Sequence, residues 1–203
     1  MQTYIDRLRA LDLQAVEGGS HDFQHQQALL GQIIEKSQPT RVLEIGFNTG
    51  FGAALFLSHG SKVTSFDIGE HDYVTRCKEI VDDVFPGRHE LVLGDSALTV
   101  PQYATDELFD LVFIDGKHSY RGCIVDLLNC IDHCKANALV VVDDVFVMSD
   151  DPCYLAVQSL ETAKHLRQLS FHKYHGDRGL MLCRYTVEES DWWGCWEPPG
   201  NRP

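Results

Sequence analysis

Short apolar segments rich in β-branched residues recur through the middle of the chain. Five of them predict strands: RVLEIG (41–46), KVTSFD (62–67), ELVLGD (90–95), LVFID (111–115) and LVVVDD (139–144). Segments with helical spacing lie between and after them, at 51–59, 72–84, 96–104, 119–134 and 152–167. Strands that alternate with helices in this way predict a parallel sheet with helices on both faces.

The two ends of the chain depart from this alternation. Apolar residues at helical spacing within residues 1–16 and over 22–36 predict two helices before the first strand. Near the other end, LSFHKY (169–174) and LMLCRY (180–185) flank a turn-rich loop and predict an antiparallel hairpin at the sheet edge. The expected fold class is therefore α/β, a doubly wound, Rossmann-like sheet of seven mostly parallel strands with a C-terminal antiparallel hairpin.

Length and composition favour a single domain. The chain has 203 residues, 44% hydrophobic and 23% charged, and no repeat or long linker divides it. We expect one domain over 1–185, with N-terminal helices over 1–38 and a core over 40–185. A tail over 186–203, rich in tryptophan and proline, follows this domain.

The net charge of −13 narrows the range of expected partners. An acidic surface is repelled by phosphate backbones and by anionic membrane surfaces, so neither nucleic acid nor a membrane is expected as a partner. Seven cysteines, an odd number without a CxxC pair, favour reduced thiols in a cytoplasmic protein. The oligomeric state stays open, with a homodimer as one option.

Each predicted strand of the parallel sheet ends in an acidic residue. These residues are Glu44, Asp67, Asp95, Asp115 and Asp143, and Asp144 follows the last of them directly. Ligands of open parallel sheets bind beyond the carboxyl ends of the strands. We therefore expect the acids to lie along the edge that binds the ligand.

The segment after the first strand, VLEIGFNTGFG, has the composition of a ligand-binding loop. Its glycines Gly46, Gly50 and Gly52 allow tight turns and close approach of a ligand. Asp67 follows Glu44 by 23 residues, which suits a carboxylate that binds the two hydroxyls of a ribose. A nicotinamide cofactor is disfavoured, because the spacing here is GxxxGxG rather than GxGxxG.

These segments resemble the class I S-adenosylmethionine-dependent methyltransferases. The first motif, E-x-G-x-x-x-G, is matched within 42–52, and the resemblance continues through FDIGEH (66–71), LGDS (93–96), FDLVFIDGKHSY (109–120) and VVVDDV (141–146). It covers roughly residues 22–185. The resemblance implies S-adenosylmethionine as the cofactor, and it implies these cofactor-binding residues: Glu44, Gly46, Phe47, Asn48, Gly50, Asp67, Ile68, Asp95, Ser96 and Asp115.

The segments FIDGKH and VVVDD are similar to those of metal-dependent small-molecule O-methyltransferases of the catechol and macrolide-sugar types. The resemblance implies Asp115, Asp143 and Asp144 as ligands of Mg²⁺ or another divalent cation, which prefers hard oxygen ligands. It implies His118 as the general base, with Asp115 beside it in the catalytic site. Lys117 is a second candidate base.

Several simpler interpretations of these residues stay open at this stage. Asp115 and His118 could cap the helix that begins near Ser119. Asp143 could contact cofactor or substrate without a metal. Asp144 could point away from the site, because neighbouring strand residues face opposite sides, and a bend after Asp143 would be needed to bring both to one ion.

Other chemically active residues carry weaker signals. Cys130, His133 and Cys134 have helical spacing, but structural zinc usually takes four protein ligands. Asp150 and Asp151 precede a proline and are interpreted as helix caps. Two groups of residues remain: His21 and His25 could line a substrate pocket, and Trp192, Trp193 and Trp196 could cover it or pack on the protein itself.

The expected function is transfer of a methyl group from S-adenosylmethionine to a hydroxyl of a small molecule, with magnesium assistance. Two alternatives are kept. One is a metal-independent methyltransferase acting on another acceptor, and the other is a catalytically silent nucleoside-binding protein of the same fold.

Overall fold

The structure is a computed structural model and describes residues 1–11, 13 and 23–186. The strands within these residues are β1 Arg41–Ile45, β2 Lys62–Asp67, β3 His89–Leu93, β4 Phe109–Ile114, β5 Cys134–Phe146, β6 Leu166–His175 and β7 Arg178–Tyr185. The helices are α1 Gln2–Ala10, α2 Phe23–Ser37, α3 Phe51–Ser58, α4 Tyr73–Val84, α5 Ser96–Gln102, α6 Tyr120–Ile131 and α7 Pro152–Thr162. The predictions for His21, Trp192, Trp193, Trp196 and nearly all of the tail lie outside the described residues.

The seven strands form one sheet in the order β3-β2-β1-β4-β5-β7-β6. The first five strands in this order run parallel, and β7 pairs antiparallel with both β5 and β6. The predicted fold class is confirmed. The chain leaves β1 in one direction towards β2 and returns later to β4 on its other side, so the ligand crevice of this sheet is expected where β1 and β4 meet.

Helices cover both faces of the sheet, as predicted. Helices α1 to α4 enclose one apolar core, and α5 to α7 enclose the other. The alternation along β1 shows the division, because Val42 faces the first core and Leu43 faces the second. The side chains of Glu44 and Asp143 follow the same alternation and face α3 and α2 respectively.

The last parallel strand is longer and less regular than the predicted 139–144. Strand β5 begins at Cys134, where the predicted helix 119–134 was expected to continue, and its register with β7 shifts between Val142 and Val145. Asp144 lies within this bulge and has a left-handed backbone, with φ of +56°. A bend after Asp143, which binding of both acids to one ion would need, is therefore present.

The C-terminal hairpin is also longer than predicted. Strand β6 begins at Leu166, three residues earlier than expected, and pairs with Tyr185 at the end of β7. The preceding helix α7 consequently ends at Thr162 rather than at 167, and Lys164 adopts a left-handed φ of +62° in the connection. No helix among the described residues is long and apolar enough to cross a membrane.

Candidate active site

The loop after β1 is held by close backbone contacts at the junction of β1, β2 and β4. Gly46 has a φ of +93°, and a Cβ atom at this position would lie 2.1 Å from the backbone oxygen of Asp115. Only glycine therefore permits this approach. The hydroxyl of Tyr4 in α1 donates a hydrogen bond to the backbone oxygen of Thr49, so the N-terminal helix contacts the same loop.

Asp67, at the end of β2, accepts three hydrogen bonds from backbone groups. The N–H groups of Phe47 and Asn48 lie 2.9 and 2.8 Å from its Oδ2, and that of Gly69 lies 2.8 Å from its Oδ1. These bonds orient the carboxylate beside the glycine-containing loop. Because it is only partly buried, its remaining lone pairs can accept hydrogen bonds from a ligand's hydroxyl groups.

Three large apolar side chains are exposed on the turn after Asp67, on the neighbouring strand β3 and on α5. Ile68, Leu93 and Leu98 have 61%, 53% and 62% of their surface accessible. Leu93 pairs in register with Asp67 across β2 and β3, and Leu98 lies in the first turn of α5. An exposed apolar surface at a ligand crevice is suited to packing against a flat ring.

At the start of α5, Asp95 and Ser96 make different contacts. Asp95 caps the helix by accepting the N–H of Ala97 at 3.0 Å, whereas the hydroxyl of Ser96 donates to Asp126 at 2.6 Å. Asp126 lies on the buried side of α6, and burial raises its pKa to about 6. Sequence reasoning missed Asp126, although an acid on the apolar side of a helix, four residues before Cys130, was a usable signal.

Glu44 lies beneath the loop rather than in the crevice. It is 1% exposed, and the hydroxyl of Ser65 donates to its Oε2 at 2.5 Å. Burial raises its pKa to about 8, so the folded protein favours the neutral carboxyl group at neutral pH. A Cβ atom on Gly52 would lie 2.3 Å from Oε1, so glycine is required there to make room for this side chain.

The second part of the site begins at the end of β4. The Nε2 atom of His118 lies 3.4 Å from Asp115 Oδ1, and its Nδ1 lies 3.2 Å from Asp144 Oδ2. The hydrogen bond with Asp115 is the main cause that raises the pKa of His118 to about 9. The cap of α6 is Ser119, which accepts the N–H of Gly122, so neither Asp115 nor His118 serves as that cap.

The adjacent acids Asp143 and Asp144 have different surroundings. Asp143 is 1% exposed, accepts from Gln26 of α2 and lies 2.8 Å from the Tyr174 hydroxyl. Burial raises its pKa well above the usual range. Asp144 lies 2.6 Å from the same hydroxyl and forms an ion pair with Arg178, with Nη2 and Oδ2 2.5 Å apart. One hydroxyl of the hairpin therefore connects both acids.

The structure brings two of the three predicted metal ligands together. Potential ligand atoms of Asp115, Asp144 and His118 all lie within 4.8 Å of one another, the one such group in the described part of the chain. Two carboxylates and one imidazole are a donor set that fits a divalent cation. The oxygens of Asp143 lie beside donors on Gln26, Tyr174 and the backbone of Asp144 instead, and Asp143 is not a member of this group.

The remaining predicted residues have structural contacts. His133 lies 2.8 Å from the backbone oxygen of Val100 and is not grouped with Cys130 and Cys134 as a metal site among the described residues. Asp151 caps α7 by accepting the N–H of Tyr154 at 2.7 Å, as predicted, whereas Asp150, also predicted as a cap, lies one residue before the capping position. The predicted candidates Lys117 and His25 are exposed.

Four residues of the site were missed because their elements carried no chemical signal. They are Tyr4 in α1, Gln26 in α2, and Tyr174 and Arg178 in the hairpin. Arg178 follows a Gly-Asp turn, a pattern typical of an exposed loop rather than of a binding site. Only the pairing of β7 with β5 places it beside the acids.

Comparison with protein families identifies the class. The model of a methyltransferase domain family matches residues 43–145, which is half of the chain and includes the loop, Asp67, Asp95 and the acidic group. The chain belongs to this methyltransferase family. The resemblance to class I S-adenosylmethionine-dependent methyltransferases is thereby confirmed, and the chain is an enzyme of that class. No curated protein sequence is significantly similar to it.

Solved structures share the fold at low sequence identity. One is the O-methyltransferase TomG from Streptomyces achromogenes in complex with S-adenosylmethionine, with a TM-score of 0.70, 16% identity, and coverage of 91% of this chain and 90% of that chain. Another is the Bacillus cereus O-methyltransferase in complex with S-adenosylhomocysteine, with a TM-score of 0.67, 14% identity, and coverage of 91% of this chain and 90% of that chain. A third is the methyltransferase PaMTH1 from Podospora anserina, bound to S-adenosylhomocysteine, with a TM-score of 0.65, 16% identity, and coverage of 92% of this chain and 89% of that chain.

Proposed function

We propose that this protein transfers a methyl group from S-adenosylmethionine to a hydroxyl of a small molecule, with the help of a divalent cation. The observation that carries this proposal is the contact between the two parts of the site. Gly46 of the loop lies against the backbone of Asp115, whose side chain belongs to the group with His118 and Asp144. A cofactor bound at the loop would thus lie beside the acidic group.

The cofactor side has a group suited to each part of S-adenosylmethionine. Asp67 would accept hydrogen bonds from the two ribose hydroxyls, because backbone N–H groups already orient its carboxylate. Ile68 would pack against the adenine, and Asp95 and Ser96 would lie at the edge of the ring. The backbone from Gly46 to Gly50 would lie along the methionine portion.

Other predicted cofactor residues would act indirectly. Phe47 is 2% exposed and stacks on His89, so its contribution would be its backbone N–H group. The side chain of Asn48 accepts from Tyr73 at 2.7 Å, which holds the loop in its turn. Glu44 would support the loop from below rather than touch the cofactor.

The acceptor side would orient the hydroxyl and remove its proton. Asp115 and Asp144 would hold the cation, which when bound supplies a Lewis acid that makes an acceptor hydroxyl more acidic. His118 would receive the hydroxyl proton as the oxygen attacks the methyl carbon in line, and the sulfur would leave as the neutral thioether of S-adenosylhomocysteine. Because two carboxylates favour its charged form, His118 must first lose its own proton to act as the base.

The comparisons support this proposal only at the level of class. Two of the similar structures are named O-methyltransferases and hold the cofactor or its product. The net charge of −13 favours an acceptor that is not a polyanion. Absence of nucleic acid and membrane partners, a homodimer and a cytoplasmic location remain predictions.

Calorimetric titration with S-adenosylhomocysteine, with Mg²⁺ and after treatment with EDTA, tests the proposal. We expect micromolar binding in both conditions and a methyl-transfer rate that falls when the cation is removed. Asp144→Asn should reduce transfer to a hydroxyl acceptor while cofactor affinity stays unchanged. Absence of binding in both conditions would refute the cofactor assignment, whereas transfer that is insensitive to EDTA would refute the role of the cation.

Metal-independent transfer is the second candidate, and one observation favours it. The ion pair with Arg178 already compensates the charge of Asp144, and Asp143 has donors in Gln26 and Tyr174. Asp143 and Asp144 are thus stabilised by groups of the protein without a metal. Full activity in EDTA, together with loss of activity in His118→Ala, would support this candidate.

A further inference from the structure

Arg178 occupies the oxygen of Asp144 that a cation would need. Its Nη2 lies 2.5 Å from Asp144 Oδ2, the same oxygen that faces His118. The other oxygen, Oδ1, lies 2.6 Å from the Tyr174 hydroxyl. Both oxygens therefore have a partner within the protein.

Burial favours positive partners for Asp144, and Arg178 is a closer one than His118, whose Nδ1 lies 3.2 Å from the same oxygen. The side chain of Asp144 is 14% exposed, and a carboxylate with so little access to water needs an opposite charge or strong donors. The pairing of β5 and β7 places Arg178 opposite Phe146, two residues beyond Asp144. The fold itself thus keeps the guanidinium next to the acid.

We propose that Arg178 is the resident counter-ion of Asp144, and that a divalent cation binds only by displacing it. Two positive groups compete for one oxygen, and they repel each other if both remain beside it. The side chain of Arg178 is 35% exposed, so it can move towards solvent when it is displaced. Arg178 would thereby set the cation affinity of the site described under the proposed function, on which this inference rests.

Arg178 acts on Asp115 less directly than on Asp144, through its charge and without an ion pair between the two among the described residues. Asp115 is partly exposed, and its nearest described charged partner is His118 at 3.4 Å. Removal of Arg178 should therefore free an oxygen of Asp144, and the loss of its positive charge should also favour a cation at Asp115. The affinity gained on removing Arg178 measures the strength of the competition.

Titration with Mn²⁺, followed by electron paramagnetic resonance, tests this inference on metal-free full-length protein. We expect Arg178→Gln to bind Mn²⁺ about tenfold more tightly than the unchanged protein, which corresponds to ~1.4 kcal/mol. Arg167→Gln, on the same hairpin and exposed, is the matched control and should bind as the unchanged protein does. Equal or weaker binding by Arg178→Gln would overturn the inference.

A second substitution separates charge from folding. Arg178→Lys keeps a positive charge and should bind Mn²⁺ nearly as weakly as the unchanged protein, with thermal unfolding confirming that both variants are folded. Binding by Arg178→Lys as tight as that of Arg178→Gln would also overturn the inference. If no variant binds Mn²⁺ although S-adenosylhomocysteine binds, the cation role fails together with this inference, whereas the cofactor assignment stands.

Discussion

The two parts of the site are held in place by different kinds of contact. On the cofactor side, Asp67 is oriented by backbone N–H groups of the neighbouring loop and of its own turn. On the acceptor side, Asp143 and Asp144 are oriented mainly by side chains from distant elements, namely Gln26, Tyr174 and Arg178. Backbone contacts survive many substitutions, whereas each side-chain contact depends on one residue. We therefore expect the acceptor side to be more easily altered.

Disruption of the contact between the two parts should have the largest effect. Gly46→Ala would place a methyl group against the Asp115 backbone in a left-handed conformation, so we expect a loss of at least ~3 kcal/mol in unfolding free energy. Gly60→Ala is the control, because φ there is +102° but no atom lies within 4 Å of the added methyl. Its cost should be only ~1 kcal/mol. Equal losses in urea unfolding would show that the contact with Asp115 is unimportant.

The cofactor side should respond strongly to loss of its one oriented carboxylate. Asp67→Asn removes the charged acceptor for the loop and for the ribose, and we expect S-adenosylhomocysteine affinity to fall about 100-fold by calorimetry. Asp110→Asn is the matched control, since Asp110 also accepts backbone N–H groups, from Thr40 and Arg41. It lies near the start of β4, whereas Asp67 lies at the end of β2. Similar losses in both variants would indicate general destabilisation instead of a binding role.

Glu44 makes the stability of the cofactor side depend on pH. Its pKa is about 8 in the folded protein and about 4.5 when unfolded, so the folded state holds an extra proton between these values. This contribution is fully present below pH 4.5 and is lost as the pH rises through 8. Between about pH 6 and pH 9 we expect the free energy of unfolding of the unchanged protein to fall by ~2 kcal/mol. The Glu44→Gln variant should not show this fall.

Urea unfolding at several pH values measures this difference. Glu79→Gln, an exposed change on α4, should keep the pH dependence of the unchanged protein. The buried acid is not the cause if Glu44→Gln shows the same slope as the unchanged protein.

The smallest expected effect concerns the hydroxyl that connects the two acids. Tyr174→Phe removes a hydrogen-bonding group from Asp143 and Asp144, and we expect a loss of ~1 kcal/mol in unfolding free energy with S-adenosylhomocysteine affinity unchanged. Tyr103→Phe is the control, because its hydroxyl pairs with the exposed Glu90 and should matter less. A change in cofactor affinity on Tyr174→Phe would show that the two sides are coupled.

The sequence was most informative where function depends on local spacing. The glycines after β1, the acid at the end of β2 and the three-residue step from Asp115 to His118 belong to short segments, whose geometry follows from the strand and its turn. Alternation of apolar segments also sufficed to predict the sheet and its terminal hairpin. Strand bounds were less accurate, because pairing with β7 extends β5 beyond its apolar segment.

Tertiary structure alone decided the surroundings of the two adjacent acids. Asp143 and Asp144 are equivalent in sequence, but a bulge with a φ of +56° turns Asp144 towards His118 while Asp143 faces α2. Gln26 reaches Asp143 across 117 residues of chain, and Arg178 reaches Asp144 across 34. Contacts between such distant residues depend on how complete elements pack, so no local pattern in the sequence records them. The sequence by itself determined the class of enzyme and the glycine-containing loop after β1, whereas packing of the hairpin and α2 decided which acidic side chains lie together.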